Sequence, residues 1–273
     1  MTHPALCNRR RRNLVALSAL PFLLLLPAAC SDDDGPTGPG QPEFDWSGTI
    51  EAGDQLDVRG VNGSIVATTV AGRSVTVSAQ VRGNGGDPAS VDIQVVTHGD
   101  GVTICAIYPD APGEPPNRCE PGGGEQNGDS PVTVDFMVEL PADVRYTAVA
   151  VNGDLDATGL GRPATLVTVN GSVVASTASL LTVATVNGSV DATLAAAQLD
   201  GPWSLATVNG SVTARLPATA DATVTGTVVS GTMVSDFPIT ETAPGVWNGT
   251  LGSGGPSVAM SVVNGSLALV RTF

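Results

Sequence analysis

The chain has 273 residues, with 12 Arg, no Lys, 26 acidic residues and a formal net charge of −14 at pH 7. It contains 33 Gly and 20 Pro, and charged residues make up only 14%, well below the ~25% of ordinary soluble domains. The Gly and Pro content excludes a long-helix or coiled-coil protein. Disorder over most of the chain is also excluded, because disordered segments combine low hydrophobicity with high charge.

The first thirty residues have the pattern of a secretory signal. Four arginines, Arg9 to Arg12, precede a 13-residue run from Leu14 to Leu26 that is apolar except at two positions, and small residues then lead to Cys30. A positive region, a short apolar region and small residues at a cleavage site are typical of a signal peptide. The run is too short to cross a ~30 Å hydrocarbon core as a helix.

The segment that ends in Cys30 resembles the lipobox of bacterial lipoproteins, although Pro27 stands where that motif usually has Leu. The resemblance implies that residues 1–29 are removed and that Cys30 is lipidated and becomes the first residue of the mature chain. Ser31 is not the Asp that directs some Gram-negative lipoproteins to the inner membrane. We therefore expect an exported protein that a lipid anchors in the outer membrane, facing either the periplasm or the cell surface.

Removal of residues 1–29 makes the chain still more acidic. It leaves 8 Arg against 26 acidic residues, a net charge of −18. Nucleic acid is excluded as a partner, because Lys and Arg must neutralise its phosphates. Residues 30–45, which include Asp32 to Asp34 and several Gly and Pro, are predicted to form a flexible acidic tether behind the lipid.

Two cysteines remain in the exported chain besides Cys30, namely Cys105 and Cys119. Disulfides persist in exported proteins, and two cysteines with no nearby histidine fall short of the four ligands of a zinc site. We predict a Cys105–Cys119 disulfide that closes a proline-rich loop, and no metal site.

A short repeat dominates the second half of the chain. Val-Asn-Gly-Ser occurs five times, Val151–Asp154 is a close variant, and Val229–Thr232 has Ser in place of Asn. Successive copies from Asn152 are 18, 17, 22, 21 and 34 residues apart, and Trp247–Thr250 divides the last interval as a degenerate copy. Gly and Asn tolerate positive φ, so we predict turns at Asn62, Gly63, Asn152, Gly153, Asn170, Gly171, Asn187, Gly188, Asn209, Gly210, Ser230, Gly231, Asn264 and Gly265.

Two architectures are compatible with these turns. Each Asn-Gly could join two strands of an antiparallel meander, or each repeat could form one coil of a parallel β-solenoid in which the asparagines stack. The near-constant period favours the solenoid, because its coils must have nearly equal lengths.

The first half contains alternating apolar and polar residues at Val75–Val81, Val91–Val95 and Val132–Leu140, which predicts strands with one buried face. The predicted fold is therefore all-β. A signal peptide (1–29) and a tether (30–45) are followed by a strand-rich part with the disulfide loop (46–140) and a repeat solenoid (141–273).

These repeats, the stretch Gly249–Pro256 and the segment Cys105–Pro109 followed by Cys119 resemble the bacterial putative-adhesin family of β-strand-repeat proteins, a domain of unknown function. The resemblance covers roughly residues 50–273. It implies a β-solenoid-like fold and a cell-envelope location. It supplies no catalytic residue.

The sequence predicts a non-enzymatic protein without cofactors that contacts glycan, matrix or another envelope protein. One alternative is a structural or envelope-stress component that faces the periplasm. A second is a glycan-cleaving enzyme that uses Asp154 and Asp156, since two carboxylates catalyse glycoside hydrolysis. His98, the one histidine after the leader, is expected to be a turn residue.

Overall fold

A computed structural model describes residues 43–124 and 130–272, which all belong to one compact unit. The prediction of an all-β fold is confirmed, and no α-helix occurs among these residues; a short 3₁₀ turn lies at Pro88–Ser90. The eighteen strands are β1 (Glu43–Thr49), β2 (Gln55–Arg59), β3 (Ile65–Val70), β4 (Ser74–Gly83), β5 (Asp92–His98), β6 (Gly101–Ile107), β7 (Val132–Pro141), β8 (Arg145–Val149), β9 (Leu155–Leu160), β10 (Ala164–Val167), β11 (Val173–Thr177), β12 (Leu181–Asn187), β13 (Val190–Leu194), β14 (Trp203–Pro217), β15 (Ala222–Ser235), β16 (Thr240–Ala243), β17 (Val246–Leu251) and β18 (Ser257–Thr272).

The strands of the repeats pair in parallel, in two ladders that meet at the Asn-Gly positions. The first ladder has the order β6, β2, β8, β10, β12 and then the first halves of β14, β18 and β15. The second ladder has the order β7, β3, β9, β11, β13 and then the second halves of the same three strands. An antiparallel meander does not describe these repeats.

Antiparallel strands extend both ladders, so the pairing of the whole sheet is mixed. At one end β5 pairs with β6, while β4 and then β1 extend the second ladder from β7. At the other end β17 pairs with the first half of β15, and β16 pairs with β17.

The stacking order departs from the chain order at the C-terminal end. Strand β18 lies between β14 and β15, although it follows both in the sequence. The degenerate copy at Trp247–Thr250 is not a repeat junction, because it lies in β17 and pairs antiparallel with β15. The interval of 34 residues therefore contains a hairpin rather than two periods.

The hydrophobic core lies between the two ladders and receives alternate residues of their strands. Its largest fully buried side chains include Trp203, Tyr146, Phe136 and several leucines. The indole of Trp203 donates a hydrogen bond to the carbonyl oxygen of Ser179 at 3.0 Å, so this aromatic residue belongs to the core. The strands predicted at Val75–Val81, Val91–Val95 and Val132–Leu140 correspond to β4, β5 and β7.

The segment 46–140 shares both ladders with the repeats. Strand β2 pairs with β8 and β3 pairs with β9, each in parallel, and Asn62 bridges to Asn152. The predicted leader (1–29), Cys30 and most of the predicted tether lie outside the described residues.

Candidate functional site

The repeat asparagines form a hydrogen-bonded column along the junction of the two ladders. The side-chain amide nitrogen of each residue donates to the side-chain oxygen of the preceding one, at 2.8 to 3.0 Å, in the order Asn264, Asn209, Asn187, Asn170, Asn152 and Asn62. At one end the amide of Asn62 donates to the carbonyl oxygen of Ser130 at 2.7 Å. At the other end Ser230 takes the next position, beside Asn264.

The repeat glycines stack beside this column at very short range. A Cβ atom on Gly171 would lie 2.0 Å from the carbonyl oxygen of Gly153, and the equivalent distances are 1.7 to 2.1 Å for Gly63, Gly153, Gly188, Gly210, Gly231 and Gly265. Only some of these glycines have a positive φ. Six of the predicted turn residues lie instead within the continuous strands β14, β15 and β18: Asn209, Gly210, Ser230, Gly231, Asn264 and Gly265. The main reason for glycine at the junctions is the close approach of neighbouring repeats.

Sequence reasoning also missed two columns of hydroxyl groups next to the asparagines. Buried Thr168, Thr185 and Thr207 each donate to the carbonyl oxygen of a glycine in the preceding repeat, at 2.8 to 2.9 Å. On the second ladder, the backbone nitrogen of Ser172 donates to Asp154, and serine oxygens accept in the next repeats. The signal was present in the sequence, because three copies read Thr-Val-Asn-Gly-Ser.

The outer face of the second ladder contains a groove of about 510 Å³ over strands β1, β4, β7 and β3. A second groove of about 370 Å³ shares Asp45, Ser78 and Met137 with it and extends to Glu139. The first groove is lined by Phe44, Asp45, Ser64, Val66, Ser78, Ala79, Gln80, Arg82, Asp135, Phe136 and Met137. Volumes of 300 to 1,000 Å³ are typical of small-molecule sites.

The polar groups of the groove are held in fixed positions. Arg82 forms an ion pair with Asp135 and donates to the side-chain oxygen of Gln80 at 2.6 Å. The other oxygen of Asp135 accepts from the hydroxyl and the backbone nitrogen of Ser64, both at 2.9 Å. Met137 follows Asp135 by two residues on β7 and pairs with Ser78, which pairs in turn with Asp45. Of the surface of Met137, 64% is exposed. The groove thus combines carboxylate, guanidinium, amide and hydroxyl groups with apolar side chains, of which Met137 and Val66 are the most exposed.

The predicted disulfide is present between Cys105 and Cys119, whose Cα atoms lie 5.7 Å apart. Just beyond the loop that it closes, the carbonyl oxygen of Gly122 accepts a hydrogen bond from Arg59 at 2.8 Å. Arg59 also binds Asp57 through three hydrogen bonds. Burial raises the pKa of Asp57, and the hydrogen bonds and charge of Arg59 oppose that shift.

The carboxylates Asp154 and Asp156 lie on the second ladder beyond the groove. Asp154 accepts a hydrogen bond from the backbone nitrogen of Ser172 at 2.7 Å, and Asp156 pairs in register with Val66 and Val174. Neither residue lines a cavity identified among the described residues. Their contacts are those of the repeat surface.

His98 ends strand β5 at the turn before β6, and its ring nitrogen lies 3.2 Å from the hydroxyl of Thr103.

Within residues 43–124 and 130–272, no three His, Cys, Asp or Glu side chains converge as metal ligands would. None of the helical segments in that part of the chain is long and apolar enough to span a membrane.

Comparisons with known proteins identify a shared fold. No family model matches the chain, and no curated protein does so. The crystal structure of a putative cell adhesion protein from Clostridium sporogenes matches 85% of this chain and 100% of its own, with a TM-score of 0.50 and 10% identity. A putative adhesin from Bacteroides fragilis matches 85% and 99%, with a TM-score of 0.34 and 10% identity.

The described part of the chain is therefore an all-β repeat protein that shares its fold with the Clostridium protein. A protein from Parabacteroides distasonis titled a putative lipid binding protein matches 86% of this chain and 98% of its own, with a TM-score of 0.22 and 11% identity.

Proposed function

We propose that this chain is a non-enzymatic surface-interaction protein of the adhesin type, exported and anchored to the outer membrane by a lipid on Cys30. The signal pattern and the lipobox-like segment support export and anchoring. The fold shared with a protein titled a putative cell adhesion protein supports the interaction role. We further propose that the parallel repeats form a solenoid-like platform, supported by the asparagine column and the stacked glycines.

The observation that carries the proposal is the groove of about 510 Å³ on the outer face of the second ladder. Strand β1, which lines the groove together with β3, β4 and β7, begins the described chain and includes the last residues of the predicted tether. The side chains of the groove are held by neighbours rather than free, because Arg82, Gln80, Asp135 and Ser64 form one hydrogen-bonded group. A preorganised group of this kind loses little entropy when a ligand binds.

The ligand class that fits this groove is a glycan. Carboxylate oxygens accept hydrogen bonds from hydroxyl groups, while guanidinium and amide nitrogens donate to hydroxyl and ring oxygens. The exposed Met137 offers an apolar surface to the C–H groups of a sugar. This role requires no catalytic residue, since the groove only has to bind its ligand.

The experiment measures binding of the full lipidated chain, in detergent, to a panel of purified glycans by calorimetry. Asp45 lines both grooves and is exposed. Replacing it, Asp45→Asn, removes a charged hydrogen-bond acceptor, and we expect affinity to fall by about tenfold or more.

The matched control is Asp156→Asn, which lies in the same row of the sheet but outside the groove. We expect it to leave affinity unchanged. Equal losses in both variants, or no binding across the panel, would overturn the groove proposal. Release of glycan fragments that the double variant Asp154→Asn, Asp156→Asn abolishes would establish the enzyme alternative instead.

A further inference from the structure

The two outer faces of the repeat stack differ in charge. Six carboxylates project from the outer side of the second ladder and its extension: Asp45, Asp135, Glu139, Asp154, Asp156 and Asp191. Two of them form ion pairs, Asp135 with Arg82 and Asp191 with Arg215. The five neighbouring strand segments of the first ladder contain no Asp, Glu, Lys, Arg or His: 164–170, 181–187, 203–209, 257–264 and 222–230.

We call the outward side of these five segments the neutral face. Its side chains form three rows across the stack. Paired residues make the first two rows: Thr165, Thr182, Ser204, Ala259 and Thr225; and Val167, Ala184, Ala206, Ser261 and Thr227. The third row consists of the valines that immediately precede the stacked Asn and Ser residues of the junction: Val169, Val186, Val208, Val263 and Val229. No side chain in the rows is larger than Val, so the face is even. The valines of the third row from Val169 to Val263 are 37 to 40% exposed, and Val229 is 74% exposed.

We propose that the neutral face is a self-association surface on which two copies of this chain pack sheet to sheet. Small side chains of two sheets that face each other interdigitate at the ~10 Å spacing of a β-sandwich. Five strands ~4.8 Å apart and seven residues long at ~3.3 Å each cover about 550 Å² per copy. Two copies together bury about 1,100 Å², which passes the ~1,000 Å² expected of a specific interface.

The charge of each face determines which surface of a second copy can pack against this one. The chain carries a formal net charge of −14, and like charges placed against each other disfavour association. Two copies that meet by their acidic faces bring carboxylates toward carboxylates, whereas two that meet by their neutral faces bring none together. The glycan groove stays open on the opposite face of each copy, so self-association goes beyond the proposed function and does not depend on it.

Ala206 lies at the centre of the neutral face, in the middle row and on the third of the five strands. A two-fold axis through the face places Ala206 near its counterpart in the second copy. Ala268 is the matched control, because it is an outward alanine on the neighbouring strand β18 but belongs to the second ladder. Both alanines are half-buried.

The test uses the full chain expressed in its own envelope. We expect Ala206→Cys to give a disulfide-linked band at twice the monomer mass on a non-reducing gel, and Ala268→Cys to give none. The native cysteines Cys105 and Cys119 are bonded to each other and do not compete. Equal cross-linking of both variants, or cross-linking of neither, would overturn the proposal.

A second measurement follows association without a cross-link. In sedimentation velocity of the full chain in density-matched detergent, we expect a dimer for the native chain and for Ala268→Glu, and a monomer for Ala206→Glu with unchanged circular dichroism. A monomeric native chain would contradict self-association. If Ala206→Glu then also lost glycan binding while Asp45→Asn kept it, the neutral face would be the ligand site instead.

Discussion

At the residue scale, the lack of room for a Cβ atom explains why glycine occupies the repeat junctions. Gly171 lies so close to the preceding repeat that a Cβ atom would be 2.0 Å from the carbonyl oxygen of Gly153 and 2.6 Å from its carbonyl carbon. These contacts are with backbone atoms, which cannot move aside as the end of a flexible side chain can. The junction therefore excludes every residue with a Cβ, whatever its conformational preference.

Replacement of Gly171 by alanine tests this explanation. We expect Gly171→Ala to lower the free energy of unfolding by about 3 kcal/mol, at the upper end of overpacking effects, as measured by urea denaturation. Gly99→Ala is the control, because Gly99 has no positive φ and its Cβ would meet nothing within 4 Å. We expect that change to stay within about 0.5 kcal/mol. Equal denaturation midpoints for the two variants would refute the steric explanation.

At the scale of elements, the asparagine column connects repeats that are distant in the sequence. Each interior asparagine both donates to and accepts from a neighbour, as Asn187 does with Asn170 and Asn209. Asn264 donates to Asn209 and is followed in the stack by Ser230. The contribution of an asparagine should therefore depend on its place in the column.

We predict that Asn187→Ala destabilises the protein about twice as much as Asn264→Ala does. Each hydrogen bond contributes about 1 kcal/mol net, so the expected losses are about 2 and about 1 kcal/mol. Thermal unfolding followed by circular dichroism measures both variants under the same conditions. Equal losses of stability in the two variants would show that the hydrogen bonds of the column do not contribute independently.

Local patterns predicted the strands of the first half and the disulfide, because alternation and cysteine pairing are properties of short segments. The same patterns placed Asn170, Asn187 and Asn209 one repeat apart, and the structure stacks them in that order. They could not show that β18 enters between β14 and β15. That order depends on which strand edge pairs with the hairpin of β16 and β17, and this hairpin pairs with β15. Pairing between segments far apart in the sequence leaves no local signal.

The groove was also invisible in the sequence. Asp45, Arg82 and Asp135 come from three strands and Ser64 directly precedes a fourth, and antiparallel and parallel pairing brings these strands together. By contrast, the absence of charge from the neutral face can be read from the sequence, once the repeats are aligned and each is divided at its Asn-Gly.

At the scale of the whole molecule, the two faces of the stack suit two different contacts. The outer face of the second ladder has fixed polar groups around a groove, and the neutral face has no side chain that ionises. A protein anchored at one end can present the first face to a glycan while the second packs against another copy. Both roles require that the folded part lies where a partner can reach it.

The central claim is therefore best tested by protease treatment of intact cells. Proteinase K is added to cells that express the full chain, and the chain is followed by immunoblot beside a soluble periplasmic protein. Our account predicts that the chain is lost while the periplasmic control survives. Protection of the chain in intact cells, with digestion after the outer membrane is permeabilised, would contradict it and favour the periplasm-facing structural role.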